Sequence, residues 1–98
     1  MDVDFSRSDA GLGVIFRGKL GTDATLEASP KVLENIQGST DRVWFDLAGV
    51  DYVCSCFLRL CLQAVKTVGR DRFEVRNVTP QVMRVFKTAG FDAMAHVS

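Results

Sequence analysis

The stretch Arg42–Gly69, RVWFDLAGVDYVCSCFLRLCLQAVKTVG, decides the fold. It opens with a short apolar run, Val43–Leu47, which is rich in residues that favour β-strands. A turn-like connector is predicted over Ala48–Tyr52. A long helical pattern follows, and it ends at Gly69, where a C-cap glycine is expected. The stretch therefore predicts a buried strand followed by an amphipathic helix.

The helical part of this stretch has a polar side and an apolar side. The polar side consists of side chains that recur at helical spacing: Arg59, Gln63, Lys66, Thr67 and Arg70. The apolar side consists of Phe57, Leu58, Cys61, Leu62, Val65 and Val68. Because this is the widest apolar stripe in the chain, we expect it to pack against the sheet.

Between the predicted strand and helix lies Cys54-Ser55-Cys56. The first free backbone N–H groups and the positive end of the helix dipole are directed at this point. A hydroxyl placed there can cap the helix or carry a phosphate. Serine is a preferred residue at helix starts, so capping alone is one interpretation of Ser55. Asp46, at the end of the strand, is expected to accept backbone N–H bonds from the following turn.

Composition and charge narrow the function classes. A chain of 98 residues, 47% hydrophobic and 24% charged, is typical of one folded domain, so we predict a single domain over residues 1–98. Twelve basic and twelve acidic side chains cancel and are scattered, which argues against nucleic-acid binding. No apolar run reaches membrane-spanning length and the N-terminus lacks a signal-peptide core. We therefore expect a cytoplasmic protein without membrane insertion.

All three cysteines, Cys54, Cys56 and Cys61, lie in the central stretch. Their odd number argues against a disulfide framework, and their spacing matches no standard zinc pattern. We predict no metal and no cofactor. Packing as small apolar side chains is the first interpretation; a thiol of lowered pKa at Cys54 or Cys56 is the alternative. With a single histidine, His96, no catalytic set is assembled, so we predict that the chain is not an enzyme.

Before the central stretch, two strands and a helix are predicted. Val3 and Phe5 alternate with polar residues, and Leu12–Arg17 gives a second strand, so the two form a hairpin. A helix begins near Asp23 as its N-cap, and its buried side consists of Leu26, Leu33 and Ile36. Pro30 predicts either a kinked helix or two pieces that meet at Ser29, and Gly38 ends it.

After the central stretch, Arg72–Val78 alternates and predicts a strand. Thr79 and Pro80 start a last helix as cap and first residue, Gly90 is its C-cap, and its buried side consists of Val82, Val85, Phe86 and Ala89. The order β-β-α-β-α-β-α favours an α/β fold. We predict a mixed, mostly parallel sheet of four to five strands with helices mainly on one face.

Three motifs give the chain a resemblance to the STAS domain of bacterial anti-sigma factor antagonists. Residues Gly18–Leu20 resemble the family's G-x-L ending of the second strand. Residues Val43–Val50, VWFDLAGV, resemble its hydrophobic strand, Asp-Leu-Ser and turn. Residues Asn77–Val82, NVTPQV, with Ala89–Phe91, resemble its final V-x-P helix and glycine ending. The resemblance covers nearly the whole chain.

The family's signature at the start of the central helix is Asp-Ser-Ser-Gly-Leu. Here Ser55 falls on the serine that a partner kinase phosphorylates in the family. Cys54 replaces the aspartate, Cys56 the second serine and Phe57 the glycine. Gly21 stands where another aspartate usually follows G-x-L. The chain thus lacks two acidic residues around the serine and carries a bulky side chain where the family has none.

The resemblance implies a regulatory module that binds an anti-sigma factor serine kinase and is switched by phosphorylation of Ser55. A second hypothesis keeps the fold but makes the chain an accessory subunit of an ABC transporter ATPase or of a larger sensory assembly. A third is a thiol enzyme built on Cys54 or Cys56, which would need a basic neighbour that the sequence does not show. A homodimer is left open.

We expect the partner to dock on the loops after the strands, Leu20–Asp23, Gly49–Tyr52 and Cys54–Phe57, since sites in open α/β sheets gather at the carboxyl ends of strands. The expected contact residues are Gly21, Thr22, Asp23, Asp51, Tyr52, Cys54, Ser55, Cys56 and Phe57. If Phe57 is exposed there, it would act as an apolar anchor.

Overall fold

The computed structural model describes residues 2–37 and 42–98. Five strands and three helices follow one another in these residues. Two single 3-10 turns, Arg70–Arg72 and Phe91–Ala93, accompany them. The elements are β1 (Asp2–Ser8), β2 (Gly11–Leu20), α1 (Thr22–Gln37), β3 (Val43–Val53), α2 (Ser55–Val68), β4 (Phe73–Arg76), α3 (Pro80–Thr88) and β5 (His96–Val97).

The five strands form one mixed sheet in the order β1-β2-β3-β4-β5. The hairpin partners β1 and β2 are antiparallel, and all other neighbours are parallel. This confirms the predicted α/β fold with a mixed, mostly parallel sheet. The fifth strand was not foreseen in the tail, because a strand of two residues, His96–Val97, is too short to show alternation.

One face of the sheet carries the core. Leu12 is paired with Val43 and Val43 with Phe73, so the three lie in one row across the sheet, and each is at most 2% exposed. Buried side chains from all three helices join the same cluster. The helices therefore pack on one face, as predicted. Within the cluster, Phe16 and Phe73 each meet Phe45 edge-on, with ring centroids 5.0 and 4.9 Å apart.

The predicted connector Ala48–Tyr52 is wrong, because β3 continues through it to Val53. Its partner β2 also runs further than expected, to Leu20, so the extra residues find a neighbour: Arg17 pairs with Gly49 and Lys19 with Tyr52. Two register shifts interrupt this pairing, as β-bulges do. These irregularities, and the mixed polar sequence, hide the strand from a search for strict alternation.

The first helix is one continuous element, which excludes the second of the two predicted alternatives, two pieces meeting at Ser29. Pro30 is exposed, and its ring therefore does not disturb the side that faces the sheet. The helix begins at Thr22, where the Thr25 N–H donates to the Gly21 carbonyl oxygen at 3.0 Å. Asp23 lies inside the first turn and is not the N-cap. The predicted end at Gly38 lies outside the described residues.

The buried side of α1 also differs from the prediction. Ile36 is buried and Leu33 half-buried as expected, but Leu26 is 59% exposed. The residues that face the core recur at i, i+3, i+7 and i+11: Thr25, Ala28, Val32 and Ile36. Threonine and alanine are too weakly apolar for this buried row to be recognised in the sequence. Leu26, one position after Thr25, is strongly apolar and was therefore predicted to be buried although it is exposed.

The helix ends follow the sequence closely. Gly69 terminates α2 as predicted, with φ +103° and an N–H that donates to the Val65 carbonyl oxygen at 2.8 Å. Thr79 and Pro80 start α3 as predicted. Its C-cap is Ala89 rather than Gly90, which follows in the left-handed conformation.

The buried side of α3 is narrower than expected. Val82 and Phe86 are buried, but Val85 is 36% exposed and Ala89 is exposed. Phe91, just beyond the helix, is buried against Phe86 with ring centroids 5.4 Å apart. The preceding strand β4 is shorter than the predicted Arg72–Val78, because a 3-10 turn comes before it and Asn77, at φ +57°, ends it.

Candidate functional site

The first turns of α1 and α2 lie side by side at the carboxyl ends of β2 and β3. Leu20, the last residue of β2, pairs with Val53, the last residue of β3. The Cys54 N–H then donates to the Leu20 carbonyl oxygen at 3.0 Å, which holds the two strand ends together as the chains leave the sheet. Both helices therefore present their N-terminal N–H groups at one edge of the molecule.

Cys54, and not Ser55, is the N-cap of α2. Its backbone is extended, with φ −102° and ψ 173°, and its carbonyl oxygen accepts the Phe57 N–H at 3.0 Å. The cap makes no side-chain hydrogen bond. Ser55 is the first helical residue and is exposed. The interpretation of Ser55 as a capping residue is therefore wrong, and its hydroxyl projects from the first turn at the positive end of the helix.

The thiol of Cys54 faces α1. Its sulfur lies 3.8 Å from the Thr25 hydroxyl oxygen, and Thr25 is only 1% exposed. That hydroxyl also lies 3.5 Å from the Leu20 carbonyl oxygen. Thr25 was not predicted as a site residue. The one feature that could have indicated it is its position as a polar residue in the row of α1 that faces the core. The contact fixes the start of α2 against the start of α1.

The pKa of the Cys54 thiol is lowered from its ordinary value. Partial burial opposes ionisation, but it is outweighed by hydrogen bonds from the Phe57 backbone and the Thr25 hydroxyl, with smaller contributions from the Cys56 backbone and Thr22. Donors that favour the charged form are the usual cause of such a shift at a helix N-terminus. This agrees with the alternative interpretation of Cys54 as a thiol of lowered pKa.

The other cysteines differ from Cys54. Cys61 is fully buried within the core, and burial raises the pKa of its thiol well above the ordinary value. Packing is therefore its role, as predicted. Cys56 is half-buried at the start of α2, and all three cysteines are free thiols.

Phe57 does not belong to the surface, so its place among the expected contact residues is wrong and the condition for an apolar anchor is not met. Its side chain is 0% exposed and meets the ring of Phe16 edge-on, with centroids 5.1 Å apart. The reason is helical geometry: Phe57 starts the same inward row as Cys61 and Ala64. A side chain two residues from an exposed serine thus points into the core.

The remaining predicted residues lie in segments at the carboxyl ends of β2 and β3. Thr22, Asp23, Asp51 and Tyr52 are exposed, while Gly21, Cys54 and Cys56 are half-buried. We call this set, with Ser55, the docking surface: Gly21, Thr22, Asp23, Asp51, Tyr52, Cys54, Ser55 and Cys56. Tyr52 is 52% exposed and, with Lys19 and Asp51, lines a shallow depression beside the end of β3. These residues come from three separate segments, so only the fold brings them together.

The structure adds an apolar residue next to this surface. Leu26 is 59% exposed and lies one helical turn after Thr22 on the same side of α1. An exposed leucine and an exposed tyrosine at one edge are suited to contact a protein surface. Because Leu26 was predicted to lie on the buried side of α1, its place next to the docking surface was not predicted.

Two other features lie away from the docking surface. Asp46 accepts the Ala48 N–H at 3.0 Å, as predicted. A cavity of about 560 Å³ lies at the opposite ends of the strands. Its charged lining residues are of both signs: Arg42, Arg70, Asp71, Arg72, Glu74 and Asp92. Because these charges cancel, the cavity has no evident preference for an anion or a cation.

Within the described ranges 2–37 and 42–98, no three side chains of histidine, cysteine, aspartate or glutamate gather in a way that could hold a metal ion. In the same part of the chain, no helix has the length and apolar character needed to cross a bilayer.

Solved structures of known proteins share this fold. A STAS domain protein from Planctomyces limnophilus, described as an anti-sigma factor antagonist, superposes with a TM-score of 0.87 at 19% identity, over 98% of this chain and 87% of that one. The unphosphorylated anti-sigma factor antagonist SpoIIAA gives 0.81 at 15% identity, over 99% and 88%. Bacillus SpoIIAA in its phosphorylated form gives 0.73 at 16% identity, over 99% and 91%.

No model of a protein family matches the sequence, and no curated protein matches it. At 15 to 19% identity the structural likeness shows the fold, which is that of the STAS domain. It confirms the resemblance drawn from the three sequence motifs.

Proposed function

We propose that the chain is an anti-sigma factor antagonist: a regulatory protein-binding module whose partner is an anti-sigma factor with serine kinase activity. The partner docks on the surface formed by the starts of α1 and α2 and the end of β3. Ser55 is the phosphoacceptor, and the unphosphorylated form is the one that binds. The observation that carries the proposal is the exposure of Ser55 as the first residue of α2.

The position of Ser55 suits a phosphate physically. A phosphoserine there would add roughly two negative charges at the positive end of the helix dipole, close to backbone N–H groups that the helix itself does not use. The fold would tolerate the modification, because the side chain is exposed and makes no core contact. The hydrated charge would instead weaken the binding of a partner that docks beside it.

Cys54 takes the place of the acidic residue that precedes the serine in the family signature. One reason why a thiol can stand there is that hydrogen-bond donors around the sulfur lower its pKa from the ordinary value, so the site favours negative charge at this position, as it would for an aspartate. In this proposal Cys54 supports the first turn of α2 and takes no part in a covalent step. The buried Phe57 likewise stabilises the first turn of α2, through its packing in the core.

The experiment is phosphoryl transfer from the partner. The anti-sigma kinase captured from the source cell would be incubated with ATP and the purified chain, and the intact mass would be measured. We expect one phosphoryl group on the wild type and none on Ser55→Ala. Ser29→Ala is the matched control, because the Ser29 hydroxyl is bound to the Thr25 carbonyl oxygen at 2.7 Å inside α1 and should not be an acceptor.

Equal transfer to the wild type and to Ser55→Ala would place the acceptor elsewhere and refute the role of Ser55. Capture of a transporter ATPase instead of a kinase would favour the second hypothesis, an accessory subunit with the same fold. A thiol reaction at Cys54 that proceeds without any protein partner would favour the third.

A further inference from the structure

The two edges of the sheet are built differently. At one edge β5 has two residues, which leaves little backbone to pair with another chain. At the other edge β1 has seven residues, Asp2–Ser8, and pairs with β2 in an uninterrupted register. Its sequence, DVDFSRS, contains no proline, glycine or lysine. Among residues 2–37 and 42–98, β1 pairs with a neighbour on one side only, which is β2.

An edge strand of this kind is a template for pairing with another chain. Proteins that stay monomeric usually blunt such edges with proline, bulges, very short strands or charges that point inward. Asp4, on the other face of the strand, is already ion-paired with Arg17 of β2, so the device that remains in β1 is the charge of Arg7. That charge would oppose pairing unless the incoming strand, or the helix above it, supplied an acidic group at the right place.

The side chains of β1 alternate between the two faces of the sheet. Val3, Phe5 and Arg7 share the face that the helices cover, because they are paired with the core residues Phe16, Val14 and Leu12. Val3 and Phe5 are packed against the core cluster, whereas Arg7 is exposed at the end of the strand.

An acidic group lies beside Val3 on this face. A small cavity of about 110 Å³ between β1 and α1 is lined by Val3, Glu27, Ala28 and Lys31. Glu27 and Lys31 are exposed. An arginine placed opposite Val3 by an incoming strand would therefore enter a space that already holds a carboxylate.

A second copy of β1 supplies that arginine. Antiparallel pairing about a two-fold axis at Phe5 places Phe5 opposite Phe5 of the second copy, and Val3 opposite Arg7 of the second copy. Arg7 of each copy then lies over the cavity that holds Glu27 of the other, so the contact is made twice. Pairing centred at Asp4 would instead set two aspartates against each other.

We propose that β1 is the interface of a homodimer, in which two five-stranded sheets join through their β1 strands and Arg7 of each copy pairs with Glu27 of the other. None of its residues belongs to the docking surface, so the dimer carries two docking surfaces. The proposal does not depend on the partner or on phosphorylation of Ser55.

Sedimentation velocity of the full chain over a range of concentrations tests the proposal. We expect the wild type to sediment as a dimer that dissociates on dilution and forms no larger species, because a two-fold interface closes on itself. Arg7→Glu should raise the dissociation constant by about tenfold or more, since it sets like charges together twice. Glu27→Arg should do the same. The combined variant, with both changes, should recover the wild-type constant.

Two controls separate this contact from a general effect of charge. Arg59→Glu changes an exposed arginine on α2 and should leave the dissociation constant unchanged. Lys31→Glu removes the basic group from the cavity and should strengthen association. A monomeric wild type would overturn the proposal. A dimer that is insensitive to Arg7→Glu, or one that the combined variant fails to restore, would overturn it too.

Discussion

The inner and outer sides of the first turn of α2 perform different tasks although they are two residues apart. On the inner side Phe57 is 0% exposed and packs against other aromatic rings of the core. On the outer side Ser55 is exposed and makes no core contact. Cys54, the N-cap before Ser55, is half-buried, with its sulfur against α1. The first turn of α2 thus contributes to the core with one side and to the exposed surface with the other.

This difference has a practical meaning for mutagenesis. Changes on the inner side should alter the free energy of unfolding, and any loss of partner binding there would be indirect. Changes on the outer side should alter binding while the free energy of unfolding stays nearly constant. Measuring both quantities for each variant therefore separates the two sides.

Phe57→Asp should have the largest effect, on stability. Removing a buried phenylalanine costs about 3–5 kcal/mol, and burying a carboxylate adds to that cost, so the total approaches the stability of a small domain. We expect the variant to be largely unfolded by circular dichroism and chemical denaturation. Tyr52→Asp is the control, because the ring is 52% exposed and its loss should cost less than about 0.5 kcal/mol. A folded Phe57→Asp variant would mean that Phe57 is not a core residue.

Ser55→Asp should have the next largest effect, on binding. The added carboxylate lies at the positive end of the helix dipole, so the free energy of unfolding should change by less than about 0.5 kcal/mol. Binding to the anti-sigma partner, measured by calorimetry, should weaken by about 1.4 kcal/mol or more, which is tenfold. Unchanged affinity would place the interface elsewhere on the molecule.

Leu26→Ala should weaken binding by about 1 kcal/mol, in the range of a moderate interface contact, with little loss of stability because the side chain is 59% exposed. Val85→Ala is the matched control: it is 36% exposed but lies on α3, outside the docking surface. If both variants lose the same affinity, Leu26 is not part of the interface.

Cys54 should give the smallest effect, a dependence of stability on pH. Its pKa is lowered in the folded protein, so ionisation stabilises the fold; this contribution is complete above the unfolded pKa and is lost as the pH falls through the folded pKa. The wild type should therefore gain stability relative to Cys54→Ser as the pH rises through the thiol range. Cys61 is common to both proteins and cancels. A difference that stays constant with pH would contradict the lowered pKa.

The sequence predicted the parts of the fold that rest on local signals. The cap and proline of Thr79-Pro80 and the glycine at the end of α2 specify helix ends by backbone geometry alone, and both predictions are confirmed. The long continuation of β3 was missed because it depends on a partner strand, with bulges that no local pattern encodes.

The residues of the candidate site also divide into those that a local motif locates and those whose position depends on tertiary packing. The sequence could place Ser55 and Cys54 at a helix start, since a short motif locates them. It could not decide which way Phe57 points, because a half-turn of uncertainty in the helical register, about two residues, exchanges inside and outside. For a similar reason Leu26 was predicted to be buried and Thr25 was not. The face of α1 that packs on the sheet is set by packing, not by the hydrophobicity of any one residue.

The central claim is that the partner docks where α1 and α2 begin. Amide chemical-shift mapping of the labelled chain, titrated with its anti-sigma partner, tests this most directly. We expect shifts concentrated at residues 21–23 and 51–56, with little change along β1 or α3. Shifts concentrated on the uncovered face of the sheet, at Trp44 and Arg76, would contradict it.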